Sequence, residues 1–501
     1  MNAQTAAPTP FAGRWRALGV IAVAQLLTAL DATIVNIALP SAQHDLGFGD
    51  GQRQWVITAY TLTFAGLLLI GGRIADRLGR RTALLGALGG FALASAVAGI
   101  APTFEVLVAG RALQGAFAAV LAPTALSSIA VMFTDQAERG RAFAVYGAVA
   151  SSGAIVGLMV GGALTDLVSW RWCLLVNVLF ALSALGAGSR LLPRSEPNTA
   201  TPIPVASAVL ATAGLAALVY AASQAADHGW AAARVWAPAA VGLALLLGFT
   251  LRQARSAAPM LPLSLFGDRR RVVSYAAITA GVVASFGLSL MLTYYFQAVL
   301  GWTPLHTGLA FLPLSAAVSV SGYAVSGVLA RRVPARWLVA GGVTLAGAGL
   351  GILATLSLDS GYVTTVLPAM VLLGLGMGGV FAPAIQIVTS GVSPRDAGVA
   401  AAVANVAMQV GSSLGVAVLN SIAVSATRAY TGSPDPRAAL VHGYAVSAGW
   451  VSAALAAVVV LVVVGLAQRP PSPSQAGARE EDEEGSRPTS TARSTTTGAA
   501  R

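Results

Sequence analysis

Residues 15–38 read WRALGVIAVAQLLTALDATIVNIA, from Trp15 to Ala38, with Asp31 as the single acid of the stretch. As an α-helix at 1.5 Å per residue this run is about 36 Å long, enough to cross the hydrocarbon core of a bilayer. Its apolar residues do not alternate with polar ones, which excludes a barrel strand. In lipid every backbone polar group must be bonded internally, and a helix does this within one segment.

Working outward, the same pattern recurs near 54–72, 82–100, 104–131, 142–164, 171–190, 204–224 and 234–251. It continues near 272–299, 305–330, 336–357, 363–388, 398–426 and 442–467. The predicted fold is an all-α polytopic membrane protein with 14 transmembrane helices. Composition agrees: of 501 residues 56% are hydrophobic and 10% charged, against about a quarter charged in soluble domains.

The basic residues are all arginine, 30 of them, with no lysine, and they exceed 19 acids to give a net charge of +11. This surplus is topological. With both termini inside, the inner linkers carry clusters such as Arg73, Arg77, Arg80 and Arg81, Arg269 to Arg271, and Arg331, Arg332 and Arg336. The outer linkers hold only Arg53, Arg171, Arg234, Arg428 and Arg437. The positive-inside rule therefore places both termini in the cytoplasm of a plasma-membrane protein. No basic domain is left to bind nucleic acid. One cysteine, Cys173, excludes an internal disulfide framework, and the absence of a phosphate-cradling Gly-x4-Gly-Lys loop excludes an ATP-driven pump.

The chain divides into a cytoplasmic N-terminus (1–14), a six-helix bundle (15–192), an inserted helix pair (204–252), a second six-helix bundle (272–467) and a disordered cytoplasmic tail (468–501). The two bundles echo each other. Gly72-Arg-Ile-Ala-Asp76-Arg77 closes the second helix of the first, and Gly327-Val-Leu-Ala-Arg331-Arg332 closes the second helix of the other. Pro123 and Pro383 occupy matching places in the two fourth helices. Weak symmetry between two bundles is the sequence sign of an alternating-access transporter with its site between them.

Four segments carry a family resemblance. They are Leu30-Asp31-Ala-Thr33-Ile-Val-Asn36-Ile-Ala-Leu39-Pro40; Gly72 to Arg81; Arg111-Ala-Leu-Gln114-Gly115; and Gly153-x3-Gly157-x3-Gly161-Gly162. Trp170-Arg171-Trp172, Asn177 and the stretch from Gln297 to Gly308 add to them. In this order they resemble the major facilitator superfamily, and within it the 14-helix drug:proton antiporters of bacteria, over nearly all of residues 15–467. The helix-five motif of that subfamily has Gly-Pro where this chain has Leu158 after Gly157. The resemblance implies proton-coupled export of small amphiphilic drugs, antibiotics or metabolites by a monomer. Its partners would be the cargo, protons and the bilayer, with the proton gradient in place of any cofactor or metal. It also implies a cytoplasmic gate loop formed by Gly72, Asp76, Arg77, Gly79, Arg80 and Arg81.

Asp31 and Arg111 each lie seven residues, roughly 10 Å, from the outer ends of their helices. They are predicted to meet and to couple transport to protons: burial favours the protonated acid, and a close guanidinium favours the charged one. Gly153, Gly157, Gly161 and Gly162 form a small-residue packing face, with Ser315, Ser319, Gly322 and Ser326 of the tenth helix as its expected partner. Tyr60, Gln114, Tyr294, Tyr295, Gln297, Asn405 and Gln409 are candidates to line the cargo cavity. Uptake by symport on the same scaffold is the alternative. A membrane enzyme would need clusters of acid, histidine or serine at one depth, and the spans offer none.

Overall fold

The computed structural model describes residues 13–467 except 195–196, 199–202, 257–258, 260, 391–393 and 433; the predicted tail and most of the predicted N-terminus lie outside the described residues. The described chain is helical throughout. Six long helices come first: α1 (Arg14–Leu46), α2 (Gln54–Leu78), α3 (Arg80–Gly99), α4 (Phe104–Met132), α5 (Gln136–Leu167) and α6 (Trp172–Leu191). Two more, α7 (Val205–His228) and α8 (Ala233–Arg255), pack on each other. The rest are α9 (Arg269–Tyr294), α10 (Pro304–Ala310), α11 (Leu312–Gly327), α12 (Ala335–Leu353), α13 (Leu367–Thr389), α14 (Pro394–Ala429) and α15 (Pro436–Gly465). Thirteen helical segments are long and apolar enough to span a bilayer, and α2, bent by 61° between Leu68 and Ile70, makes fourteen. The bend falls beside the Gly71-Gly72 pair, a usual place for one.

Repetition between the bundles is visible in the packing. In the first, α5 meets α1 through glycines: a Cβ on Gly153 would lie 2.9 Å from the Ala29 side chain, and one on Gly161 2.8 Å from Ile34. In the second, α14 meets α9 in the same way, Gly411 against Thr279 and Gly415 against Val283. The second and fourth spans repeat the device, with Gly115 against the Tyr60 carbonyl and Gly374 against the Leu314 carbonyl. The α7–α8 pair leans on α2 and α14.

Two sequence expectations change. The glycine face of α5 seats on α1, not on the serine face of α11, because Thr33 and Leu30 leave room only for a glycine at 157. Only its last member, Gly162, faces the second bundle, at Pro304 and Leu305, and there Gly308 meets the Leu158 carbonyl. The first span is also longer than its predicted end at Ala38: α1 continues through Pro40 to Leu46, while α5, with Leu158 where the family motif has proline, runs unbroken from Gln136 to Leu167.

Candidate functional site

Because linkers alternate sides along the chain, one side of the molecule is rich in arginine and the other poor. Asp31 sits on the face of α1 turned into its own bundle and is fully buried. Arg111 Nη1, from α4, donates to Asp31 Oδ2 at 2.7 Å, and Asn177 Nδ2, from α6, donates to Oδ1 at 2.8 Å. Gln114 Nε2 donates more weakly to Oδ1 at 3.3 Å and to Ser95 Oγ at 2.7 Å. The guanidinium is itself over-determined. It donates to Gln114 Oε1 at 2.8 Å and to the Val56 carbonyl at 3.1 Å, and lies 4.6 Å from the centre of the Tyr60 ring. An ion pair without access to water costs several kcal/mol per ion unless its remaining valences are filled; here groups on α2, α4 and α6 fill them.

The gate-loop residues lie together where α2 turns into α3, and Gly79 there takes a left-handed φ of +82°. Asp76 is exposed, and among the described residues its carboxylate has no ion pair; its carbonyl accepts from the Asn198 amide at 3.0 Å. Arg77 is exposed and Arg80 half-buried. Arg81 donates to the Ser189 carbonyl and Arg73 to the Pro259 carbonyl.

A cavity of about 450 Å³ lies between the bundles. It is walled by Thr33 and Asn36 of α1, Leu158 of α5, Ser285, Phe286, Ser289 and Thr293 of α9, by α11 from Leu314 to Tyr323, and by Phe381 of α13. None of the seven residues expected to line a cavity is on this wall. Tyr60 and Gln114 serve the Asp31 network. Tyr294 donates to Gln43, and Gln297 to the Ile37 carbonyl at 3.0 Å, so both tie α9 to α1. Tyr295 turns away into its own bundle and donates to the Ser360 carbonyl at 3.2 Å. The chain passes into a π-helix over Tyr295–Val299, which changes the angular step between residues and breaks the expected stripe. Asn405 is exposed and donates to the Ala401 carbonyl one turn back. The Gln409 carbonyl accepts from Ser412 and Ser413.

A second buried polar cluster was not anticipated from sequence. Arg53, 3% exposed, reaches from the start of α2 across to the second bundle. Its Nε donates to Asn420 Oδ1 at 2.8 Å, and its guanidinium lies 4.0 Å from the centre of the Tyr294 ring. Asn420 Nδ2 donates back to Gln54 Oε1 at 2.8 Å and to the Asp50 carbonyl at 3.0 Å. With the Thr61–Ser413 bond at 2.7 Å and the Tyr294 and Gln297 ties, these contacts seal the bundles together toward the arginine-poor side. A linker arginine reads from sequence as a topological charge, so the only available signal was its position just before a span.

The sequence model of the Major Facilitator Superfamily matches residues 21–416. The chain is 44% identical over 473 residues to the puromycin resistance protein pur8 of Streptomyces alboniger, covering 93% of this chain and 94% of that one. It is 40% identical over 421 residues to the cephamycin export protein CmcT of Amycolatopsis lactamdurans, covering 83% and 86%. Among solved structures, the POT family transporter PepTSo superposes with a TM-score of 0.65 at 16% identity, over 90% of this chain and 98% of that one, a likeness of fold. Motifs, bundle repeat and whole-length matches agree: the chain belongs to the major facilitator superfamily of membrane transporters.

Proposed function

We propose that this transporter exports a small amphiphilic drug, antibiotic or metabolite across the plasma membrane in exchange for protons. The arginine-rich side faces the cytoplasm, and the chain works as a monomer without cofactor. The names of the two relatives, a resistance protein and an export protein, favour export over uptake. The observation that carries proton coupling is the Asp31–Arg111 pair: fully buried, 2.7 Å apart, and with its acid on α1, a helix that also walls the cavity.

The conformer described is sealed toward the arginine-poor side. Alternation requires those cross-bundle contacts to break while contacts form at the other side, where the Asp76 carboxylate is free to find a partner. If that rearrangement separates Arg111 from Asp31, the carboxylate is left buried and uncompensated, and taking a proton is the way to relieve the cost. Return of Arg111 expels the proton. One proton moving down one pH unit and 100 mV supplies about 3.7 kcal/mol, enough for a several-hundredfold gradient of an uncharged solute.

The test is exchange in proteoliposomes. Asp31→Asn is expected to abolish cargo-driven proton movement while the protein remains folded and monodisperse. Undiminished exchange in that variant would remove Asp31 from the role. Whole-cell accumulation that rises when an uncoupler collapses the gradient separates export from symport; a fall would favour uptake.

A further inference from the structure

Helix α1 carries different chemistry on two faces. Asp31 points into its own bundle and is saturated by Arg111, Asn177 and Gln114. Five residues on, about 7.5 Å along the axis and about 140° around it, Asn36 faces the cavity between the bundles. Asn36 is only 6% exposed, and among the described residues its carboxamide has no hydrogen-bond partner. Buried amides are ordinarily paired. Its backbone carbonyl is also short of a donor, because the residue four positions on, which would bond it in a regular helix, is Pro40.

The wall opposite is sorted by hydrogen-bonding capacity. Ser289, Thr293 and Ser319 each give their hydroxyl hydrogen to a carbonyl one turn back, at 2.8, 2.8 and 2.9 Å, so they offer the cavity lone pairs only. Ser285 and Ser315 line the same space with no partner for their hydroxyls among the described residues. Among those residues the wall holds no acid, arginine or histidine, and Phe286, Phe311 and Phe381 supply aromatic faces.

We infer that the cavity is a subsite for an uncharged molecule bearing amide or hydroxyl groups on an aromatic body, and that Asn36 is its anchoring residue. The inference rests on the reading of this space as the transport route. The carboxamide donates to and accepts from the cargo, the committed hydroxyls accept from its N–H or O–H groups, and the phenylalanines stack on it. A cation would enter with no counter-charge, since the nearest acid on α1 is already held in its own bundle. Proton and cargo therefore bind at separate places on one helix, and exchange of an uncharged cargo for a proton moves net charge.

Binding to purified protein in nanodiscs, with no gradient present, tests this apart from proton coupling. The probes are the uncharged aryl amides chloramphenicol and linezolid and the fixed cation ethidium. Wild type is expected to bind an uncharged probe at least about tenfold more tightly than ethidium. Asn36→Leu is expected to weaken that binding about tenfold, the loss of one well-placed hydrogen bond from a ligand, and Asn36→Ser to restore part of it. Should Asn36→Leu not fold, the double variant Ser285→Ala, Ser315→Ala is expected to weaken the same probe. Tighter binding of ethidium, no binding of either uncharged probe, or equal affinity in Asn36→Leu would overturn the inference. Asp31→Asn is expected to keep the binding. Loss of exchange with binding intact leaves the inference standing, and exchange that survives in Asp31→Asn sinks only the proton-coupling scheme.

Discussion

Asn420→Leu probes the seal on the arginine-poor side most directly, because this one amide makes three bonds across the bundles: it accepts from Arg53 Nε at 2.8 Å and donates to Gln54 Oε1 at 2.8 Å and the Asp50 carbonyl at 3.0 Å. Leucine has nearly the same bulk and none of these groups. In the sealed conformer it strands Arg53 Nε and Gln54 Oε1, both on residues buried to 3% exposure or less, whose orphaned groups cost about 1–3 kcal/mol each. Arg53 keeps the Tyr294 ring at 4.0 Å, so the sum stays near the lower end, about 2–4 kcal/mol. When this side opens, water satisfies the same groups and the cost vanishes. The equilibrium is then expected to shift toward the opened state by roughly 30- to 700-fold. The only native cysteine, Cys173, is buried, so spin labels at Gly49→Cys and Thr431→Cys, both in exposed linkers, report on this side alone. The electron–electron distance distribution is expected to gain a longer component that dominates in Asn420→Leu. An unchanged distribution in a variant of normal melting temperature would refute the claim that this cluster holds the side closed.

Asp50→Asn is expected to move the same distribution far less, by under about tenfold, because its carboxylate is 49% exposed and 3.5 Å from Arg53, and half-solvated pairs are weak. An effect as large as that of Asn420→Leu would show the ion pair to be the dominant contact. Gly157→Val places a Cβ 2.1 Å from Thr33 Oγ1 and 3.0 Å from the Leu30 carbonyl. It is expected to cost about 1–3 kcal/mol of overpacking, lower the melting temperature and impair exchange, since α1 carries both the acid and the cavity wall. Gly140→Ala, which meets open space, is the control. Equal melting curves for the two would contradict the packing described for α5.

What could be read from sequence was whatever a single helix decides for itself. The number of spans depends on rise per residue and hydropathy alone, and Asp31 and Arg111 do meet at 2.7 Å. The helix ends that would set them at equal depth do not match, because α1 runs on past Ala38 to Leu46 while α4 starts at Phe104. Partner choice was not legible, because it depends on how helices rotate against one another. Gly153 to Gly161 read as a contact face, but nothing in those residues says whether α1 or α11 fills it; that is decided by Thr33 and Leu30 approaching to distances only glycine tolerates. The π-turn after Tyr294 likewise redirected a stripe that a regular helix would have aimed at one wall. Asn36 was in plain view inside the motif that holds Asp31, yet one amide in a span has no meaning until its lack of a partner is seen.

The separation of Asp31 from Asn36 also constrains how coupling can work. A carrier in which proton and cargo compete for one carboxylate needs that carboxylate on the cavity wall. Here the acid is fully buried and bound by side chains of two other helices of its own bundle, α4 and α6, and the wall among the described residues is uncharged. Competition by direct displacement is therefore unavailable to this conformer, and under the proposed coupling the link between the two ligands is movement of α1 itself. Gly157 and Gly161 let α5 lie close along that helix, while Gln43 and Ile37 fasten its far end to α9. In that scheme a shift of α1 that frees Tyr294 and Gln297 on the sealed side would pull Asp31 against Arg111, which is held by the Val56 carbonyl and Gln114. The same shift changes what Asn36 presents to the cavity. In the proposed scheme, opening of the seal, proton loading and release of cargo would follow from displacement of one element, with each ligand biasing the same equilibrium from a different face.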